Sequence, residues 1–495
     1  MREKVVPFAL FAALVGLGVL AAVRAKPPHE APLVRIQEEG DASSDASALD
    51  AGPSEAAAPA LLADAVAAPA SEAAAPPQVV KLIDRPLRVT TLGVALAAPG
   101  TMALEGGARL FELELCPVES LQKVEGRLVR GGADADGADI AVVALPDLVA
   151  ATERMRALEP QAFLLVGFSQ AAERLVPAPG APRGPAPTGD VKVFVPTGER
   201  LASREWMALF ALDAAGAPPS RVKLLVADER PKDAAFVAGS FADKNEGEHL
   251  LSTVEAAGLV PYVAVTTKHT LTSSEPLVRA FAQAWLTGLE RAQSDAGGAA
   301  KRVLGKEGAV FSSAAEVTGD VGGLVERLGR VSRVTLGDNA RLLGATPTGA
   351  GRRAPLEALS SAMVDAYRDV GLLTTAPSWP LVERKVVATI AKDTPAALTE
   401  VERLDCSRSR RRPVASRKES GATLDEAALL RHVEVFAVAY EGCALRVSLK
   451  GGEKPAATFA QTARDKLGLS AQKLLAGTAA TPGPALLEVV PPPAP

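Results

Sequence analysis

Apolar positions change their period along the chain. Val5–Val23 is 19 residues without a charge, preceded by Arg2 and Lys4, and is long enough to cross a bilayer. From residue 87 onward, short apolar runs alternate with stretches of helical spacing. Leu87–Ala95 (LRVTTLGVA) reads as a buried strand, Leu110–Cys116 (LFELELC) alternates as a second, and Ala138–Leu145 (ADIAVVAL) is a third after a helix over Ser120–Arg130. A helix at Pro146–Leu158 leads to a strand at Ala162–Phe168. After a Pro/Gly loop at 177–190 the alternation resumes: strand Val191–Val195, helix from Ser203, strand Val222–Ala227, helix Lys232–Phe241, strand Val260–Thr266. Leu277, Phe281, Trp285 and Leu289 recur at every fourth position, the core face of a helix that Ser274 caps. Strands alternating with helices predict a parallel α/β body.

A different order follows Glu383. Lys385–Ile390 reads as a strand, and Arg410–Arg412 lie in a loop whose basic residues a solvated surface explains. Helix Thr423–Tyr440, strand Ala444–Leu449, helix Thr458–Leu467, a helical turn at Ser470–Leu475 and strand Leu486–Val490 complete a small α+β block. The chain therefore divides into 1–25, a signal peptide or signal anchor; 26–83, a tether; 84–382, the α/β body; and 383–490, the small block.

Composition sharpens the tether first. Residues 41–80 hold 16 Ala, and from Ile36 to Val80 there are eight acidic residues and no Lys or Arg. Such a segment does not bury enough apolar surface to pack, and it reaches about 180 Å at ~3.3 Å per residue. Over the whole chain of 495 residues the net charge is −4, which argues against a nucleic-acid surface. Four His, and three Cys without C-x-x-C spacing, leave little for a metal site, and no metal or cofactor is expected. Neither G-x-S-x-G, H-E-x-x-H nor a Walker A sequence occurs in the body, so no catalytic residues are assigned. With the leader directing the chain out of the cytoplasm, Cys406 and Cys443 are candidates for a disulfide, while Cys116 sits in a strand as a small apolar residue.

Helix–Gly–(one to three residues)–Asp occurs in each half of the body, at Gly137–Asp139 and from Gly239 to Asp243, which suggests two similar lobes. The ordered series LRVTTLGVA, GADIAVVALP, AFLLVGFS, VKVFVPTGERLASREWMALFALDAAG, DAAFVAGSFAD, SEPLVRAFAQAWLTGLERA and LSSAMVDAYRDVGLL resembles type II periplasmic substrate-binding proteins of the SsuA/nitrate/taurine-like kind, over roughly 300 residues. The resemblance implies a two-lobed type II α/β fold and a hinge. It further implies a small polar or anionic solute held in the cleft without covalent chemistry, and an ABC permease as partner in the periplasm. Residues 5–23 would then anchor the chain in the inner membrane, unless they are removed as a signal peptide.

Cleft ligands of such a fold sit at strand C-termini and helix starts, where free N–H groups favour anions. Gly100 and Thr101, Ser169, Thr197 and Gly198, Ser203, and Asn245 occupy those places; a helix cap explains Ser203 and a turn explains Thr197–Gly198 equally well. The chain departs from the family after the second motif, where Asp243–Glu248 replaces an apolar strand. The C-terminal order is similar to a reduced OmpA-like domain, in which Arg464 would match the family's arginine for peptidoglycan, although Lys450–Glu453 replaces its G-H-T-D turn. The rival expectation is thus a non-transport scaffold, with the small block docking on peptidoglycan or an envelope partner.

Overall fold

In a computed structural model, the described residues are 80–493, apart from 104–109, 171, 183, 185–187, 198–201, 241–248, 347–351, 396–405, 407–414 and 420–422. They belong to one compact unit, Pro76–Pro495. The leader, the tether up to residue 79, Gly198, Asn245 and Arg410–Arg412 lie outside the described residues.

The Val- and Leu-rich runs form strands because both sheet faces are covered, so every position along them can be apolar. β1 (Leu87–Leu92), β2 (Leu113–Val118), β3 (Ile140–Ala144) and β4 (Gln161–Phe168) begin the first sheet, connected by α1 (Ala98–Ala103), α2 (Leu121–Arg130) and α3 (Leu145–Ala151). The chain then crosses to a second sheet with β5 (Glu173–Pro177), β6 (Val191–Pro196), α4 (Ala202–Ala214), β7 (Val222–Ala227), β8 (Phe236–Ser240) and β9 (Leu251–Ser252). It returns through β10 (Pro261–Thr266), followed by α5 (Lys268–Ser273), α6 (Glu275–Ser294), α7 (Ala296–Gly305), β11 (Val310–Phe311), α8 (Val321–Gly329), α9 (Leu336–Leu342) and α10 (Pro355–Asp369).

Strand order runs β11-β2-β1-β3-β10-β4 in the first sheet and β7-β6-β8-β5-β9 in the second. β1 is parallel to β2 and β3, and β6 is parallel to β7 and β8. β10 is antiparallel to both its neighbours, as is β5. Each antiparallel strand is the one delivered directly from the other lobe. This exchange, with the crossing strand placed between the third and fourth strands, is the two-lobed type II arrangement. The chain passes from the first sheet to the second between β4 and β5, and returns between β9 and β10.

After α11 (Lys385–Asp393), a C-terminal α+β region comprises β12 (Ala415–Lys418), α12 (Glu426–Ala439), β13 (Ala444–Leu449), α13 (Glu453–Leu467), β14 (Leu474–Ala476) and β15 (Ala485–Val490). Its sheet order is β12-β15-β13-β14, with β13 and β14 parallel. One apolar core runs from the first lobe through the second into this block. Phe210 on α4 meets Phe436 and Tyr440 of α12 and its C-terminus at ring-centroid distances of 5.2 and 6.1 Å. Cys406 and Cys443 form a disulfide, and Cys116 is a buried free thiol in β2.

Three segments differ from expectation. Phe236–Ser240 is a strand, because the helix propensity of Lys232–Ala235 is overridden by a vacant place between β6 and β5. Lys385–Asp393 is a helix: Val386, Val387, Ile390 and Ala391 bury one face, and the preceding residues pair with β4 through Glu383 N–H to Ala162 O. That helix therefore extends the first lobe beyond residue 382. Leu474–Ala476 is a strand, since Leu474 is fully buried beside β13.

Candidate functional site

The lobes meet where α3, at the end of β3, faces the start of α4, after β6. Asp147 on α3 is 1% exposed, and its Oδ1 accepts from the Ala202 N–H at 2.9 Å. Tyr367, fully buried on α10, donates through its hydroxyl to Ala202 O at 2.7 Å. One residue at the α4 start is therefore held through both its peptide groups by the first lobe's helix and by α10. Burial pushes the Asp147 carboxyl up to about 7, opposed by the Ala202 N–H and reinforced by Glu173, Glu205 and Glu125.

A second polar cluster occupies the crossovers. Ser169, which follows β4, donates to Glu173 Oε2 at 2.5 Å. Thr253 Oγ1 on the return crossover accepts from Glu173 N–H at 3.3 Å and lies 3.4 Å from the carboxylate. Ser203 of α4 also bonds Glu173, and Ser169 bonds Tyr262 of β10. Ser169, Glu173, Ser203 and Thr253 are all buried. Burial raises the Glu173 carboxyl above its ordinary range, against the hydrogen bond from Ser169 and the charge of Arg204. Tyr262 is likewise raised by burial, with the Glu173 charge adding to it.

The expected site residues separate into groups. Ser169 and Ser203, far apart in sequence, converge on Glu173. Thr197 is exposed at the end of β6. Gly100 and Thr101 lie inside α1: a Cβ on Gly100 would stand 2.7 Å from Leu115 Cδ2 and 3.0 Å from the Trp285 ring, and Thr101 Oγ1 bonds its own helix at Ala98 O. These two serve the packing of α1 between β2 and α6. Trp206 and Trp285 are core residues; Trp206 donates from Nε1 to Leu259 O on the crossover at 3.1 Å.

Sequence reasoning missed Asp147, Glu173, Thr253, Tyr262 and Tyr367. The readable signal was an acid inside an apolar run, at LPDLVAA for Asp147 and beside Leu175 and Val176 for Glu173. Arg464, expected on a helix, lies at the end of α13 and turns its Nε back to Ala460 O at 3.2 Å. His249 pairs with Glu255, and no cluster of metal-ligand type is found among the described residues.

No family model and no curated protein matches the chain. Solved structures that it is similar to include the alkanesulfonate-binding protein SsuA from Xanthomonas axonopodis pv. citri bound to MOPS, at 14% identity and a TM-score of 0.40, covering 61% of this chain and 100% of that one. The periplasmic nitrate-binding protein NrtA from Synechocystis PCC 6803 is 11% identical with a TM-score of 0.41, covering 64% and 90%. The ligand-binding component of an ABC-type import system from Staphylococcus aureus, with zinc bound, is 12% identical with a TM-score of 0.40, covering 61% and 98%.

Proposed function

We propose that this chain is an envelope solute-binding protein whose two lobes close on a small polar solute, without covalent chemistry, and hand it to an ABC-type permease. The observation that carries this reading is the gathering of Ser169, Glu173, Ser203 and Thr253, from both crossovers and the α4 start, into one buried hydrogen-bonding cluster between the lobes. Hydroxyls and carboxyls at a hinge give a closing cleft polar partners that change with lobe separation. Because Asp147 already holds the Ala202 N–H, the solute is expected to be uncharged or cationic rather than anionic. A panel of sugars, amino acids, polyamines and inorganic anions tests this by thermal shift. A saturable rise from an uncharged or cationic member, lost in Glu173→Gln, supports the reading. A rise from anions alone, or from no member, counts against it.

A second reading has its own observation. The small domain's sheet, with α12 and α13 packed on it, supports an OmpA-like block that docks on peptidoglycan while the two-lobed body serves as a spacer. Sedimentation with purified cell wall should retain the protein and fail with Arg464→Ala. Equal retention of both removes the arginine route.

A further inference from the structure

We propose that Asp147 is an internal ligand: its carboxyl takes the place at the α4 start that a solute's anionic group would take, and so holds the lobes together without solute. This rests on the solute-binding reading for its biological meaning, but not for its test. α3 belongs to the first lobe and α4 to the second, so the 2.9 Å bond from Ala202 N–H to Asp147 Oδ1 bridges the cleft. α4 is described from Ala202 over 13 residues, and the first N–H groups of a helix have no carbonyl of their own helix to bond. A carboxyl there satisfies one of them and lies at the positive end of the helix dipole. The contact is buried: Asp147 is 1% and Ser203 2% exposed. Tyr367 fixes the same residue from α10 through Ala202 O. A solute that enters between the lobes must displace this bond before they close on it, and an anionic one must compete with a carboxyl tethered 55 residues away in the chain.

The charged and titratable groups facing Asp147 are Glu125 of α2, Glu173 of β5, Glu205 of α4, Tyr262 of β10 and Tyr367 of α10. All would carry negative charge or none, which is why burial among them favours the neutral acid. The neutral acid still accepts through its carbonyl oxygen, so the bridge survives protonation. The folded carboxyl titrates near 7 against an ordinary 3.8, so the folded state holds more protons between those values. This group's share of stability is accordingly present at low pH and falls as pH rises from about 4 to about 7.

The full-length, disulfide-intact protein is compared with Asp147→Ala and Asp147→Asn, without solute. Asp147→Ala should melt several degrees lower, and sodium formate should restore the loss saturably, while sodium chloride at equal ionic strength should not. Asp147→Asn keeps an accepting oxygen and should ignore formate. Its melting temperature relative to the native chain should climb as pH is raised from 4 to 8. Formate and chloride acting alike on Asp147→Ala would overturn the proposal. If that variant does not fold, the native chain decides instead: an Ala202 amide that exchanges as fast as an exposed one overturns the proposal. Failure of every solute in the panel, with formate rescue intact, would defeat the transport reading and leave the internal ligand standing.

Discussion

Glu173 gathers three hydroxyls between the lobes: Ser169, Ser203, and Thr253 at its backbone and carboxyl group. Removing a donor from a buried carboxyl leaves its desolvation uncompensated. Ser169→Ala should therefore cost about 1–3 kcal/mol in chemical denaturation at neutral pH. Glu173→Gln keeps an accepting oxygen and removes the acid whose ionised form burial disfavours, and should cost less, or nothing. The reverse ranking would mean that Glu173 is ionised and held by a cation, not by the hydroxyls. These residues also show where sequence reading stops. Ser169 and Ser203 were visible because they follow a strand and open a helix. Asp147 shows in the sequence only as an acid inside an apolar run; its partner is an N–H on another lobe, and no periodicity within LPDLVAA reports a group 55 residues away.

At the level of elements, helices whose apolar stripe repeats over several turns were legible. α6 buries Leu277, Phe281, Trp285 and Leu289 as their spacing predicts, with Phe281 and Trp285 at 5.0 Å between rings. Short β-branched runs were not: KVVATI at Lys385 fits a strand by propensity, yet Val386 and Ile390 lie four apart on the buried face of α11. Helix ends hold further chemistry. Lys473 donates from Nζ to Tyr440 O, Glu441 O and Cys443 O at 2.8, 2.6 and 2.8 Å, closing the C-terminus of α12 with a cation. Burial lowers this amine to about 8, so it is charged at pH 7. Lys473→Met keeps the aliphatic stem and abandons three carbonyls. It should cost about 3 kcal/mol, read by urea unfolding. A loss within 0.5 kcal/mol would show that water replaces the ammonium there.

For the whole molecule, the small domain is seated on the hinge rather than hanging from it. Gly258 on the return crossover donates its N–H to Ala439 O at 2.9 Å, and a Cβ there would stand 2.0 Å from Val438 O. Arg341 of α9 pairs with Glu441 at 2.8 Å, while Arg417 of β12 bonds Asp213 of α4, at 2.8 Å to its carbonyl and also to its carboxylate. The seat thus touches the second lobe, the crossover and α9, which is itself tied to β4 by Asn339 bonding Leu165. Gly258→Ala should force the seat apart, cost roughly 2–3 kcal/mol and speed amide exchange in both α12 and the crossover. Faster exchange confined to α12 would mean that the domain does not brace the hinge. The two-lobed plan was legible from the strand–helix alternation; the second Gly–Asp motif was not a guide to it, since its Gly239 lies in the strand Phe236–Ser240 and its Asp243 lies outside the described residues. The seat was not, because it is built from ring contacts and backbone carbonyls between segments some 200 residues apart.

The most direct test of a two-lobed protein held shut by its own carboxyl is the distance between the lobes. Spin labels at Thr287→Cys on α6 and Lys223→Cys on β7 report it by pulsed dipolar spectroscopy. The native chain without solute should give one narrow distribution. Asp147→Ala should broaden it toward longer distances, and formate should narrow it again. Identical distributions in the native chain and Asp147→Ala, with or without formate, would contradict both the hinge and its latch.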